Sequence, residues 1–270
     1  MEEEIRKEFM EMIKLLEEGR LQEFKQKATE CPPVDIAEGL EEIEDEGRVL
    51  RVFRMLPKDI SSDVFSYMTS EQQQLIAESA TNAELKALVD DMFMDDTVDF
   101  LEEMPANVVK RILAQADPAT RRMINELLKY PEDSAGGVMT TELMELRPDW
   151  TVSQAMAAIR KNGFDKETIN NCYVTDDSRR LIGVVSLRAL VLAKNTEEPI
   201  KDLMDSNVVS VSTTTDQEDV SNLFEKYGFL AIPVVDAENR LVGIVTIDDA
   251  ISILHLRGQR FQHGKKTRNV

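Results

Sequence analysis

Two stretches of this 270-residue chain are near copies: CYVTDDSRRLIGVVSL at 172–187 and AIPVVDAENRLVGIVTI at 231–247. Each reads as an apolar strand, a polar turn of the same length and a second strand. Helical patterns precede both (152–161 and 217–227) and follow both (187–193 and 248–254). The glycine after the turn recurs at Gly183 and Gly243, 60 residues apart, and the methionine opening each unit recurs at Met139 and Met204, 65 apart. An internal duplication of a β-α-β-β-α unit accounts for this spacing, and it limits the second half of the chain to two small, similar modules.

Before Tyr130 the grammar is different. Apolar residues recur at helical spacing (Val49, Val52, Phe53, Leu56, then Leu85, Leu88, Val89, Met92) and strand-like alternation is absent. Breaks fall at CPP, LPKD, MTSEQQ, DMFMDD, EMPAN and ADPAT. Such proline, serine, threonine and aspartate signals end and start short helices, so a stack of helical hairpins is expected. The fold class is therefore α+β, an all-α helical-repeat N domain followed by a β-α-β-β-α pair.

With 51 acidic against 32 basic residues and a net charge of -19, the chain repels phosphate backbones and anionic lipid and attracts cations. Nucleic acid is not expected as a partner. The two cysteines, Cys31 and Cys172, form no CxxC pattern and read as reduced thiols of a cytosolic protein. MEEEIRKEF lacks the features of a signal peptide and no apolar run approaches the roughly 18 residues of a membrane span, so the chain as given is expected to be soluble. The histidines, His255 and His263, are too few and too isolated for a triad or a metal motif, and neither GxSxG nor a phosphate loop occurs. Enzymatic turnover is not expected.

The element GVVSLRA or GIVTIDD within tandem units of about 60 residues resembles a pair of CBS domains. Together with the joint YPEDSAGGVMTTELMELRPDWTV and the helical half before it, it resembles the cytosolic region of MgtE-type magnesium channels and transporters. That resemblance divides the chain into a helical N domain at 1–131, a first CBS domain at 132–199 and a second at 200–255. An atypical basic tail, 256–270, follows where the family continues into an acidic connecting helix and a membrane pore domain.

Within DDMFMDDTVDF (90–100), Asp95 as the cap of a helix beginning near Asp96 accounts for those two aspartates but not for Asp99 one turn on. Mg2+ takes near-octahedral oxygen donors and suits carboxylates offered from two sides of a cleft. The resemblance implies metal ligands at Asp63, Asp95 and Asp99, at the backbone of Gly137, and at Asp216, Glu218, Glu225 and Asp249; Gly228 and Ser252 stand where acidic ligands occur in the family. Capping also explains TDQEDV (215–220), with Thr215 or Asp216 as cap. The resemblance further implies a site for ATP or another adenine nucleotide at Arg188, Phe229, Pro233, Thr246 and Asp249. In the first copy Ala189 replaces the matching carboxylate. Core packing is the competing reading of Phe229 and Pro233.

The implied function is Mg2+ sensing at the cytoplasmic face of the cell membrane. The acidic N domain and the second CBS unit, joined by the flexible EDSAGG segment (132–137), close on the ion and inhibit uptake, and CBS pairing implies a homodimer. The alternatives are a stand-alone adenine-nucleotide sensor with a helical partner-binding domain, and a purely structural helical adaptor.

Overall fold

The computed structural model describes residues 3–251 and residue 253; the basic tail and Ser252 lie outside them. The chain divides into two compact units, one comprising residues up to 92 with 96–124, the other residues 93–95 with 125 onward.

The first unit is built from helices α1 (Glu3–Glu17), α2 (Leu21–Glu30), α3 (Pro33–Glu41), α4 (Glu46–Met55), α5 (Lys58–Ser66), α6 (Ser70–Ser79), α7 (Asn82–Asp90), most of α8 (Met94–Glu103), α9 (Ala106–Gln115) and most of α10 (Pro118–Leu127). Their starts follow from local chemistry. Pro33 and Pro118 open α3 and α10, and Pro57 and Pro105 stand at the N-caps of α5 and α9, where the missing N–H has no helical partner to lose. Thr81 and Glu84 form a reciprocal capping box on α7, and Asp45 caps α4 by accepting from the Arg48 amide at 3.0 Å. Alternate helices then stack: α1 on α3, α3 on α5, α5 on α7 and α7 on α9, while α4 packs on α6. This is the helical-repeat ladder that the sequence breaks foreshadowed. Phe65 is its aromatic centre, 6.0 Å from the Phe53 ring and 4.9 Å from the Phe100 ring in an edge-to-face contact.

The second unit contains β1 (Met144–Leu146), α11 (Val152–Asn162), β2 (Asn171–Thr175), β3 (Leu181–Ser186), α12 (Leu187–Leu192), α13 (Ile200–Leu203), β4 (Val211–Ser212), α14 (Gln217–Tyr227), β5 (Ala231–Val235) and β6 (Leu241–Thr246), with residues 247–251 helical. Each copy makes a three-stranded mixed sheet. β1 runs parallel to β2 and β2 antiparallel to β3; β4, β5 and β6 repeat the arrangement. The duplication extends to fine detail, since both hairpins bulge at the same place, Val174/Thr175 and Val234/Val235. Both turns are organised by one aspartate: Asp176 accepts from the amides of Ser178 (2.8 Å) and Arg180 (2.9 Å), and Asp236 from those of Glu238 (3.0 Å) and Arg240 (2.8 Å). The left-handed residue is Arg179 in one turn and Asn239 in the other, with φ of 61° and 62°. Asparagine tolerates that region better than arginine.

The copies are interlocked. The Thr140 amide donates to the Ile244 carbonyl and the Ile244 amide to the Thr140 carbonyl, both at 2.9 Å, so the lead-in of the first copy pairs with β6 of the second. Val184 and Asp205 exchange the same two bonds in the opposite sense, also at 2.9 Å. The recurring methionines and glycines meet crosswise here. A Cβ on Gly243 would lie 2.6 Å from Met139 Sδ and 2.7 Å from the Thr140 carbonyl oxygen, and a Cβ on Gly183 would lie 2.5 Å from Met204 Sδ. Leu143, Tyr173 and Leu181 of the first copy and Ala231, Val235, Leu241 and Ile244 of the second bury one shared core between them.

The EDSAGG joint is not a flexible tether. The Ala135 amide donates to the Thr215 carbonyl at 2.7 Å, Gly136 to Thr213 at 2.9 Å, and Gln217 donates back to Asp133 at 2.9 Å. Ser134 and Ala135 are buried. The glycines serve close approach: a Cβ at Gly136 would stand 2.7 Å from the Tyr130 ring and 2.8 Å from the Thr213 oxygen, and one at Gly137 would stand 2.5 Å from the Pro131 oxygen. The expectation of flexibility came from composition, and it fails because these backbone groups have partners.

Gly243→Ala should destabilise the protein by about 1–3 kcal/mol, the usual cost of overpacking a tight contact. Urea unfolding of the full chain measures this; an unchanged midpoint would contradict the methionine–glycine seating.

Candidate functional site

The apolar members of DDMFMDDTVDF explain where its carboxylates sit. α8 starts at Met94, earlier than expected, so Asp95 and Asp96 occupy its first turn, where the helix dipole favours negative charge. Asp91 belongs to the end of α7 as its C-cap residue and so does not share their face. Thr97, Val98, Phe100 and Leu101 are buried, and the Phe65–Phe100 contact holds α8 beside α5. Asp99 is left exposed next to Phe100, as is Asp63 two residues before Phe65. Partial desolvation raises the Asp63 carboxyl above its ordinary pKa. Asp95, half-buried, lies one turn before Asp99 on α8.

In the CBS copies, Asp216 is the N-cap of α14, its Oδ1 accepting from the Glu218 amide at 2.8 Å. Glu218 and Glu225 are exposed two helical turns apart, on one side of α14. The Gly137 amide is held by the Ser134 carbonyl at 2.9 Å. Asp249, half-buried, accepts from the Thr246 hydroxyl at 2.7 Å and from the Thr246 amide at 3.2 Å. It is thus the first-turn residue that reaches back to Thr246, which stands at the cap position of the last helical segment (247–251). Capping and ligation are compatible roles, because an ionised carboxylate offers about four lone-pair sites and a cap uses one or two of them. The donors at all these positions are hard oxygens, the chemistry that Mg2+ selects. Among the described residues, no three His, Cys, Asp or Glu side chains stand together as a preformed cage.

The residues expected at a nucleotide divide into two groups. Thr246 and Asp249 are brought together, and the residues after each of Thr246 and Phe229 are tied by the Ile247 amide donating to the Leu230 carbonyl at 3.1 Å. Pro233 is buried within β5 opposite Ile244, so core packing describes its position. Arg188 is exposed on α12 of the first copy. In that copy Ser186 caps α12 by accepting from the Ala189 amide at 3.1 Å, and no carboxylate occupies the place of Asp249.

Residues 31–133 match the profile of the MgtE intracellular N domain, and residues 135–195 and 200–256 each match that of the CBS domain. The crystal structure of the cytosolic domain of the Mg2+ channel MgtE in complex with ATP superposes with a TM-score of 0.85 at 34% identity, covering 91% of this chain and 99% of that one. This chain belongs to the MgtE family. The magnesium transporter MgtE of Thermus thermophilus is 36% identical to it over 243 residues, 88% of this chain and 53% of that protein. The one from Bacillus subtilis is 33% identical over 245 residues, 91% and 54% respectively. The chain therefore spans about half the length of these curated relatives, and it matches the cytosolic part of MgtE. No helix among its described residues is long and apolar enough to cross a membrane.

One feature of this MgtE chain escaped the sequence reading. Tyr227 stacks on Phe229 with ring centroids 5.2 Å apart and planes 24° from parallel, and Lys226 Nζ lies 4.7 Å from the Tyr227 centroid. The triplet YGF was its signal. A glycine between two aromatics at a helix end permits the left-handed turn that folds one ring back on the other.

Proposed function

We propose that this chain is the Mg2+-sensing regulator of an MgtE transporter, acting at the cytoplasmic face of the membrane on a pore domain of the same polypeptide. Exposed carboxylates on both units carry the reading: Asp63 and Asp99 on the helical unit, and Asp216, Glu218 and Glu225 on the CBS pair. Asp95, Asp249 and the Gly137 carbonyl complete the expected oxygen donors. Like charges on the two units oppose their approach, and a divalent ion shared between them offsets that repulsion. The ion's leverage equals its differential affinity for the closed and open arrangements. Several weak sites acting together give a steep response at millimolar metal. Closure would then inhibit Mg2+ uptake. The anchored joint moves with the CBS pair in this account, so the hinge lies outside 132–137.

The CBS pair is also proposed to bind ATP, supported by the Thr246–Asp249 pairing and by the similar MgtE domain whose structure is a complex with ATP. Asp249 is the ribose carboxylate, and Arg188 meets the phosphates. Absence of saturable heat when ATP is titrated into the full chain would discard this role.

A homodimer through the CBS helices is supported by their uncovered apolar side chains: Val191 is 61% exposed, Leu192 70%, and Ile251, one repeat after Val191, 48%. Leu192→Glu should shift the chain to a monomer in sedimentation velocity, whereas a wild type that already sediments as a monomer would refute the dimer.

Millimolar Mg2+ should raise the unfolding temperature more than NaCl at matched ionic strength, because an ion bound only by the native state stabilises it. Asp99→Asn combined with Asp216→Asn should shrink that increment and leave the NaCl response unchanged. Equal responses of the wild type to both salts would overturn the sensing reading.

A further inference from the structure

We infer that Tyr227 is a positioning residue for the nucleotide: it fixes the plane of Phe229, against whose other face the base stacks. This deepens the ATP reading above and rests on it. α14 ends at Tyr227, and Gly228 follows with φ of +64°, its amide bonded to the Phe224 carbonyl at 2.8 Å. A Cβ at Gly228 would meet nothing within 4 Å, so it is the left-handed backbone, not space, that calls for glycine. That turn returns Phe229 over Tyr227, with the rings 5.2 Å apart. The next residues are locked in sequence, Leu230 to the Ile247 amide and Ala231 opposite Thr246. The ring is therefore held at both ends, by the stack on one side and by the strand that leads to the Thr246–Asp249 pair on the other.

The duplication provides an internal control. The first copy has Asn162–Gly163–Phe164 in place of Tyr227–Gly228–Phe229. There Gly163 is right-handed, with φ of -71°, and the chain continues into a short 3-10 turn, Gly163–Asp165. Phe164 has no ring beneath it from residue 162 and is 94% exposed. Five additional residues separate it from β2, compared with the connection from Phe229 to β5. The copy that lacks the stacked ring is also the copy in which Ala189 replaces the ribose carboxylate. Ring shelf and carboxylate occur together in the second copy and are missing together from the first, as two parts of one binding device would be.

Phe229 left without its neighbour has freer rotamers, and a base that stacks on it must then order the ring as well as itself. Titration calorimetry of ATP into the full chain tests this with wild type, Tyr227→Ala and Tyr227→Phe, each checked by thermal unfolding. Tyr227→Ala should weaken ATP binding about three- to tenfold, in line with the worth of one aromatic pair. Tyr227→Phe should restore wild-type affinity, since it keeps the ring and loses only the hydroxyl. Wild-type affinity in Tyr227→Ala, or an equal loss in Tyr227→Phe, would overturn the inference while leaving the nucleotide reading intact. A wild type that binds no ATP would remove both, and that result is visible before any variant is compared.

Discussion

The seating of each leading methionine on the other copy's glycine is the contact on which the CBS half depends. Met139 fills the space over Gly243 and Met204 the space over Gly183, and paired backbone bonds from Thr140 and Asp205 close the exchange. Each sheet is thereby extended by a segment from the opposite copy, so neither copy completes its own edge alone. Thr246 and Asp249 sit at the end of β6, one of the two strands the exchange braces. The Thr246–Asp249 pair thus follows a strand that this crosswise contact braces.

Much of this was legible in the residues. The hairpin duplication, the helical N domain and its proline-started helices follow from periodicity and turn chemistry, which are local. The crosswise partnership of Met139 with Gly243 was not legible, because a repeat shows which positions are equivalent and not which copy each one touches. EDSAGG misled for a related reason: small residues mark either freedom or close approach, and only the partners at Thr213, Thr215 and Gln217 decide between them. The start of α8 was misplaced because Asp95 and Asp96 are as favourable inside a first turn as at a cap. At the candidate site, Thr246 and Asp249 were foreseen as a pair, while the Tyr227–Phe229 stack depends on a left-handed glycine whose conformation the sequence only permits.

The charge distribution gives the functional account its physical content. A chain with a net charge of -19 spends most of that charge on solvated helix faces, where repulsion is screened within about 8 Å at physiological salt. In the proposed closure, screening by monovalent ions cannot replace a divalent ion at short range, because carboxylates brought together lose water. This separates a sensor of Mg2+ from a protein that merely responds to ionic strength. Gly228 takes the left-handed turn that ends α14, so a larger side chain there would strain the backbone that carries Phe229.

Small-angle X-ray scattering of the full chain, with and without millimolar Mg2+ at constant ionic strength, tests the central claim most directly. The account predicts a smaller radius of gyration with the ion and reversal on chelation. Superimposable curves across the titration would contradict it.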